Sequence, residues 1–187
     1  MSMKRILPLS LLAGAVIALG ACATLQRGPV GNAAVPQPAK AVDLNRYAGL
    51  WFEIGRYENG FERGCEGVTA RYTVRDDGLV GVLNTCRQGG VAGEARTVDG
   101  RAKVVEGSGN AKLKVSFFGP FYVGDYWVLD HAEDYSWSVV GEPSGRYLWI
   151  LSREAQPSIQ TREAIMRRVG ELGYDVSLIR PVQQPPE

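Results

Sequence analysis

The sequence predicts an all-β protein, an eight-stranded antiparallel up-and-down barrel with one C-terminal α-helix packed outside it. Its 187 residues include 23 glycines, 10 prolines and few long helical patterns, as in folds where turns recur often. Between residues 49 and 153, eight short segments with short links alternate apolar and polar side chains. Gly49-Leu50-Trp51 opens this series and Arg153 closes it, so we expect the two ends of the sheet to meet. A closed barrel of eight strands can hold one small ligand.

The first 21 residues have the pattern of a secretory signal peptide. Lys4 and Arg5 precede an apolar stretch, residues 6–19, that is short for a membrane span. Residues 19–22, Leu-Gly-Ala-Cys, resemble the bacterial lipobox, in which cleavage precedes a cysteine that receives a diacylglycerol and an amino-terminal acyl chain. The resemblance implies that Cys22 anchors the mature protein, since each buried methylene contributes about 0.8 kcal/mol. The alternative is an uncleaved anchor helix with an incidental cysteine.

Residues 22–42 are predicted to be the lipidated cysteine and a flexible tether, because they carry Pro, Gly and Ala with no apolar period. A flexible chain of this length spans about 25 Å on average. We expect the folded domain over residues 43–182 and a loose C-terminal tail over residues 183–187. Ala23 stands where inner-membrane lipoproteins of enteric bacteria carry Asp. The lipobox resemblance therefore implies the periplasmic face of a Gram-negative outer membrane.

The first strands are defined by alternation around Trp51. Residues 43–47 are predicted to form one helical turn that leads into strand A. Strand A starts at Trp51, with Glu53 and Tyr57 on the face of Trp51 and Arg56 on the opposite face. Strand B follows with the period of a half-buried strand. Its inward residues are Val68, Ala70, Tyr72 and Val74.

The remaining strands follow from the same alternation. Asp76-Asp77-Gly78 is a tight turn, because glycine supplies the positive φ that closes hairpins. In strand H, Tyr147 and Trp149 share the parity of Arg153. We expect strand C from residue 80, strand D at 95–105, strand E at 112–117, strand F at 122–130, strand G at 135–141 and strand H at 146–153.

An amphipathic helix follows the strands. It begins at Pro157 and Ser158, repeats apolar residues at spacings of three and four, and ends at Gly173. Residues 174–179 are predicted to form a ninth strand beside strand A. We place the helix on the outward apolar residues of strands A and H, which are Phe52, Ile54, Leu148 and Ile150.

Three longer stretches carry more information than alternation does. They are Phe61-Glu62-Arg63-Gly64, residues 114–122 and residues 147–153. Together with Gly49-x-Trp51, they resemble the bacterial outer-membrane lipoproteins of the lipocalin family, relatives of apolipoprotein D. In that family a Trp plugs the closed end of an eight-stranded calyx and an Arg lies across its ring. The resemblance assigns these places to Trp51 and Arg153, with a cation–π contact of about 0.5–2 kcal/mol.

The resemblance also implies an apolar cavity that binds a fatty acid or a lysophospholipid and serves lipid storage or transport in the bacterial envelope. Burial of an acyl chain at about 25 cal/mol per Å² would supply the affinity, and a few polar groups would orient the head group. The alternative is that the inward residues simply fill a packed barrel. Tyr126, rather than Trp127, is placed inside strand F on the resemblance alone. The candidate cavity residues are Tyr57, Val68, Tyr72, Val82, Asn84, Val98, Leu113, Val115, Phe117, Tyr126, Tyr147 and Trp149.

With Cys22 assigned to lipid, Cys65 and Cys86 remain as a pair in an oxidising compartment. A disulfide between them would tie the start of strand B to the end of strand C. Their strand parities disagree, so the bridge requires a bulge or a loop position for Cys65. The alternative is two buried thiols.

Other classes of function find little support in the sequence. His131 is the only histidine and is expected in a surface loop, so neither a catalytic triad nor a transition-metal site can be assembled, and no cofactor motif is present. The formal charge is +1 with no basic patch, which argues against nucleic acid as a partner.

Glu53 points inward and either binds a cationic head group or pairs with an internal Arg or Tyr. Two rival functions are an enzyme that acts on a bound lipid and a structural lipoprotein that docks a protein through Trp127 or other exposed aromatic residues. Homodimer formation stays open.

Overall fold

A computed structural model describes residues 29–186, which form a closed β-barrel. None of the helices in this range is both long enough and apolar enough to cross a bilayer. Short turns link the strands, and Gly78, with φ of +78°, closes the tight turn predicted between the second and third strands. The elements are α1 (Leu44–Tyr47), β1 (Gly49–Tyr57), β2 (Cys65–Val74), β3 (Val80–Gln88), β4 (Ala95–Val104), β5 (Lys112–Ser116), β6 (Gly124–His131), β7 (Trp137–Gly141), β8 (Leu148–Ser152), α2 (Ile159–Glu171), a 3-10 helix (Val176–Leu178) and β9 (Ile179–Pro181).

The sheet is an antiparallel meander that closes on itself. Its strands follow the order β2-β3-β4-β5-β6-β7-β8-β1-β9, and the first half of β1 also pairs with β2, Trp51 lying opposite Ala70. The second half of β1 exchanges this partner for β9, with Arg56 opposite Arg180. The predicted fold class, an eight-stranded up-and-down barrel with a helix outside, is confirmed. The predicted ninth strand does lie beside β1, but it occupies residues 179–181 instead of 174–179.

A β-bulge in β1 reverses the facing of its second half. The register with β8 shifts between Glu53 and Gly55, so one extra residue enters the strand and the alternation changes phase. Arg56 therefore lies inside, fully buried and ion-paired with Glu53. Tyr57 lies outside, with its ring 5.9 Å from that of Tyr174. The prediction that Tyr57 faces the cavity and Arg56 faces outward is wrong because strict alternation does not anticipate the bulge.

Two apolar cores lie on opposite sides of the sheet. The inner core fills the barrel around Trp51. The outer core lies between the sheet and α2, as predicted, although Phe52 is not part of it. The helix begins at the N-cap Ser158, whose hydroxyl accepts from Thr161 N, and ends before Gly173 at φ +88°. The outer core contains Ile54, Leu129, Val139, Leu148 and Ile150 of the sheet, and Ile165, Val169 and Leu172 from the helix segment.

A disulfide joins Cys65 and Cys86, whose Cα atoms are 5.3 Å apart. The register of β2 with β3 shifts between Glu66 and Thr69, which supplies the bulge that this pairing requires. The bridge lies in a small third core with Val68 and Val182. Val68 packs beside the bridge and against Val182 of the C-terminal segment.

The segment predicted as a flexible tether is largely packed onto the barrel. Residues 31–42 run along the outside, where Gly31 N donates to Gly145 O, Ala39 N to Leu129 O and Val42 N to Gly109 O. Asn32 and Val42 are 5% and 2% exposed. The prediction of flexibility is wrong for these residues because backbone hydrogen bonds hold them, together with the packing of Val35 and Val42 against the apolar cores. Cys22 and the predicted signal peptide lie outside the described residues.

The C-terminal tail is likewise held at its start. Gly67 N donates to Gln183 O, and the Gln184 amide donates to the carbonyl oxygens of Glu53 and Val68. The prediction of a loose tail is wrong for residues 183 and 184. Their bonds attach the end of the chain to β1 and β2.

We predict that the double substitution Cys65→Ala/Cys86→Ala lowers the free energy of unfolding by about 3 kcal/mol, because the bridge spans 21 residues and its loss frees that loop in the unfolded chain. Urea denaturation followed by tryptophan fluorescence measures the loss. The parent protein under reducing conditions is the control and should lose a similar amount. An unchanged midpoint in both samples would contradict the prediction.

Candidate functional site

The closed end of the barrel is sealed by Trp51 and Arg153. Trp51 is fully buried, and its indole N–H donates to Tyr47 O. The guanidinium carbon of Arg153 lies 3.8 Å from the centre of the indole ring. Gly49 adopts φ +98°, and a side chain there would crowd the Arg153 guanidinium. Arg153 donates to the carbonyl oxygens of Arg46, Tyr47, Ala48 and Leu50 at 2.7–3.1 Å.

A chain of hydroxyl groups lies above this floor. Tyr126 Oη is 2.8 Å from Tyr47 Oη and 2.9 Å from Tyr72 Oη, and Ser138 Oγ lies 3.1 Å from Tyr47 Oη. Burial raises the pKa of Tyr47 to about 12 and the pKa values of Tyr72 and Tyr126 well above 10. These phenols therefore stay neutral at physiological pH, and their hydroxyl groups satisfy one another's hydrogen bonds inside the barrel.

A buried ion pair lies inside the barrel near the β1–β2 loop. Arg56 Nη1 donates to Glu53 Oε1 at 2.9 Å. Its Nη2 donates to the carbonyl oxygens of Glu62 and Cys65, at 2.9 and 3.2 Å. Arg56 Nε is buried and has no hydrogen-bond partner among residues 29–186. The pair fixes the position of the β1–β2 loop, because Glu62 belongs to that loop.

Glu62 connects the ion pair to the aromatic wall of the barrel. Its Oε2 accepts from Trp149 Nε1 at 2.9 Å and from Asn59 Nδ2 at 2.5 Å. Burial raises the pKa of Glu53 well above 4.5, and the carboxylate of Glu62 adds to the effect. The ion pair with Arg56 lowers the pKa of Glu53, but burial and the neighbouring Glu62 carboxylate outweigh it.

An aromatic stack stands at the open end, opposite Trp51. The ring of Tyr147 lies 5.7 Å from that of Phe61 and 5.8 Å from that of Trp149, and both pairs are stacked. On the facing strands, Val98 and Phe117 are 48% and 37% exposed. Val98 shares the inner face, since its ladder partner is Asn84, which in turn pairs with Ala70 of the inner core. The open half of the interior is thus apolar, aromatic and still accessible.

Comparison with known proteins identifies this architecture. A family model described as a lipocalin-like domain matches residues 42–184. The chain belongs to the lipocalin-like family. The outer membrane lipoprotein Blc of Vibrio cholerae is 39% identical over 164 residues, which cover 87% of this chain and 95% of that protein. Blc of Escherichia coli K12 is 37% identical over 187 residues, with 97% and 98% covered. The structure of insecticyanin from the tobacco hornworm Manduca sexta superposes with a TM-score of 0.66 at 21% identity, covering 83% of this chain and 87% of that one, which shows the shared fold.

Most of the predicted cavity residues of this lipocalin-like barrel lie on its inner face. Tyr126 is inside, and Trp127 is outside, under the ammonium of Lys112 and packed into the outer core. Tyr57 is the misplaced residue, displaced by the bulge in β1, and Val68 packs beside the disulfide. The structure packs Tyr72, Val82, Leu113 and Val115 in the inner core, with Tyr126 and Trp149 against it, and places Asn84, Val98, Phe117 and Tyr147 nearer the open end.

Three residues of the interior were missed by sequence reasoning. Arg56 was assigned to the outside because of the bulge. Phe61 and Glu62 lie in the β1–β2 loop, where no alternation can indicate facing. Their only signal was the motif Phe61-Glu62-Arg63-Gly64, which carried the family resemblance without a role for its residues.

His131 is not a surface residue, so that prediction is wrong. It is 3% exposed at the end of β6, and its ring stacks on Tyr135 at 4.2 Å. One ring nitrogen contacts Ala132 O at 2.8 Å and the other contacts Ala41 O at 3.2 Å. The packed segment 31–42, which the sequence did not predict, covers it.

We predict that Glu53→Gln flattens the pH dependence of stability above pH 4.5. The folded chain holds the Glu53 proton more tightly than the unfolded chain does, so the free energy of unfolding falls as pH rises from about 4.5 to the raised pKa. Urea denaturation between about pH 4.5 and 8 should show this fall in the parent and a shallower one in the variant.

Glu133→Gln is the matched control, since Lys40 lowers the pKa of that exposed carboxylate. Its contribution is present above the ordinary carboxyl pKa and is lost as pH falls through the lowered one, so the profile above pH 4.5 should keep the parent's slope. Parallel profiles for Glu53→Gln and the parent would show that Glu53 titrates normally.

Proposed function

We propose that this protein binds a lipid with a single acyl chain, a fatty acid or a lysophospholipid, in the open half of its barrel. The observation that carries the proposal is the division of the interior. Its closed half is packed around Trp51 and Tyr47, whereas its open half presents accessible apolar and aromatic side chains. A hydrocarbon chain entering the open half would cover Val98, Phe117 and the Trp149 ring, and this burial would drive binding at about 25 cal/mol per Å².

Polar groups near the same space could orient the head group. Asn84 Oδ1 is buried and lacks a hydrogen-bond partner among the described residues, so it offers an acceptor to a ligand hydroxyl or amine. Glu62 is a second polar group near this space, and its carboxylate accepts a hydrogen bond from the Trp149 indole N–H. A fatty acid would keep its carboxylate toward the mouth, because Glu53 and Glu62 disfavour a third anion deeper inside.

The interior favours a carrier over an enzyme acting on the bound lipid. Glu53, the inward carboxyl group, is held by Arg56 at 2.9 Å. The three inner tyrosines bond to one another and titrate only at high pH. These groups are engaged in structure, which supports storage or transport of an unmodified lipid.

We further propose that residues 1–21 are removed and that Cys22 is acylated, which places the protein on the periplasmic face of a Gram-negative outer membrane. The Leu-Gly-Ala-Cys sequence at residues 19–22 supports this placement. The names of the Vibrio cholerae and Escherichia coli relatives, outer membrane lipoprotein Blc, support the same membrane.

We predict that Trp149→Ala weakens the displacement of a fluorescent fatty acid by oleate or lysophosphatidylcholine about tenfold. The substitution removes an accessible wall of the open half, and tenfold corresponds to about 1.4 kcal/mol of lost burial. The assay uses residues 22–187 with Cys22→Ser, since every described strand and helix lies within residues 29–186.

Trp127→Ala is the matched control, because its indole lies outside the barrel. It should leave the displacement constant within about twofold of the parent. Equal losses in the two variants would place the ligand outside the open half, and an absence of displacement in the parent would refute the proposed function.

A further inference from the structure

The barrel exposes its large apolar loop residues at the open end. Because the strands form a meander, the loops 58–64, 89–94, 117–123 and 142–147 all lie at the end opposite Trp51. We call these four loops the open rim. On it Phe61 is 68% exposed, Phe118 84%, Phe121 70% and Val123 82%. Exposed apolar side chains clustered in this way mark a surface that contacts a partner.

The loop 117–123 is an uncharged segment bordered by cations. Its sequence is Phe-Phe-Gly-Pro-Phe-Tyr-Val. Arg101 donates to Gly119 O at 3.0 Å, and the Lys103 ammonium lies 4.8 Å from the centre of the Tyr122 ring. The adjoining cleft of about 560 Å³ runs along the outer face of β2–β4. It is lined by residues including Arg71, Arg75, Asp99, Arg101 and Gly119. Apolar side chains next to arginines fit a surface that is apolar inside and bears phosphates outside.

The N-terminal segment leaves the barrel at this same rim. Gly31 N and Asn32 N both donate to Gly145 O, in the loop 142–147. From there the chain runs along the barrel toward the closed end, where Val42 N donates to Gly109 O. Only residues 23–30 separate Cys22 from Gly31, and such a chain spans at most about 30 Å when fully extended. An acylated Cys22 would therefore tether the barrel from its rim end, within about 30 Å of the bilayer.

We propose that the open rim docks on the phospholipid bilayer that holds the Cys22 anchor, with Phe118, Phe121 and Val123 inserted among the acyl chains. Arg101 and Lys103 then lie at the level of the lipid phosphates. In this orientation the mouth of the barrel opens on the leaflet, so a lipid passes between bilayer and barrel without crossing water. The proposal rests on the proposed lipid anchor at Cys22 for its orientation, and on the exposed rim for its contact.

The test separates docking from anchoring by using the non-acylated chain, residues 22–187 with Cys22→Ser. Co-sedimentation with vesicles of phosphatidylethanolamine and phosphatidylglycerol measures the partition coefficient. We expect the triple variant Phe118→Ser/Phe121→Ser/Val123→Ser to partition at least about tenfold more weakly, because each side chain loses its burial in the bilayer. The matched control Val74→Ser/Ile159→Ser changes side chains that are 43% and 73% exposed but lie off the rim, and it should partition within about twofold of the parent.

Other outcomes overturn the proposal. Equal partitioning of the triple variant and the parent would exclude the loop as the contact. In a second outcome, the parent fails to bind vesicles and instead forms a dimer that the triple variant cannot form. That result would assign the rim to a second copy of the chain. Fluorescent fatty-acid displacement without vesicles is measured on the same samples. Loss of that displacement in the parent would refute lipid binding, whereas loss of vesicle partitioning alone would refute only the docking.

Discussion

The bulge in β1 between Glu53 and Gly55 is the constraint on which the two sides of the sheet depend. Before it, β1 pairs with β2 and directs Trp51 and Glu53 inward; after it, β1 pairs with β9 and directs Arg56 inward. An unbroken strand would turn Arg56 to the outside and leave Glu53 buried without a cation, which is costly. The same extra residue turns Tyr57 outward, where its hydroxyl donates to Asp175 O and joins the outer core to the C-terminal segment.

The sealed half of the resulting interior combines an apolar core with polar groups that bond to one another, and the accessible half presents apolar and aromatic side chains. Arg153 closes the floor by bonding to carbonyl oxygens of the entry segment, and the tyrosine hydroxyls satisfy one another above it. The Glu53–Arg56 pair need not add net stability, since desolvation offsets its attraction. Its consequence is positional, because Arg56 holds the backbone of the β1–β2 loop, and Glu62 of that loop contacts Trp149 in the aromatic stack. The mouth is therefore shaped by the buried pair beneath it.

Alternation in the sequence was sufficient to predict the strands of the barrel and the apolar face of the outer helix. It also predicted the facing of strand β8, where Trp149 lies inside and Ile150 outside. It failed where one residue is inserted in β1, at Arg56 and at Tyr57, because a period of two carries no information about a bulge. Composition failed for residues 31–42, since it does not register the backbone hydrogen bonds to β6 and to neighbouring loops that help to hold them. The burial of His131 was not predicted for the same reason, because residues 31–42 cover its ring.

Lipid retained by the barrel itself tests the central claim most directly. Native mass spectrometry of residues 22–187 with Cys22→Ser, incubated with lipids extracted from bacterial envelopes and then repurified, would weigh any molecule held inside. The division of the interior into a packed floor and an accessible mouth predicts one bound lipid with a single acyl chain per protein. A barrel that carries no lipid, and that takes up none when lysophospholipid or fatty acid is added, would contradict it.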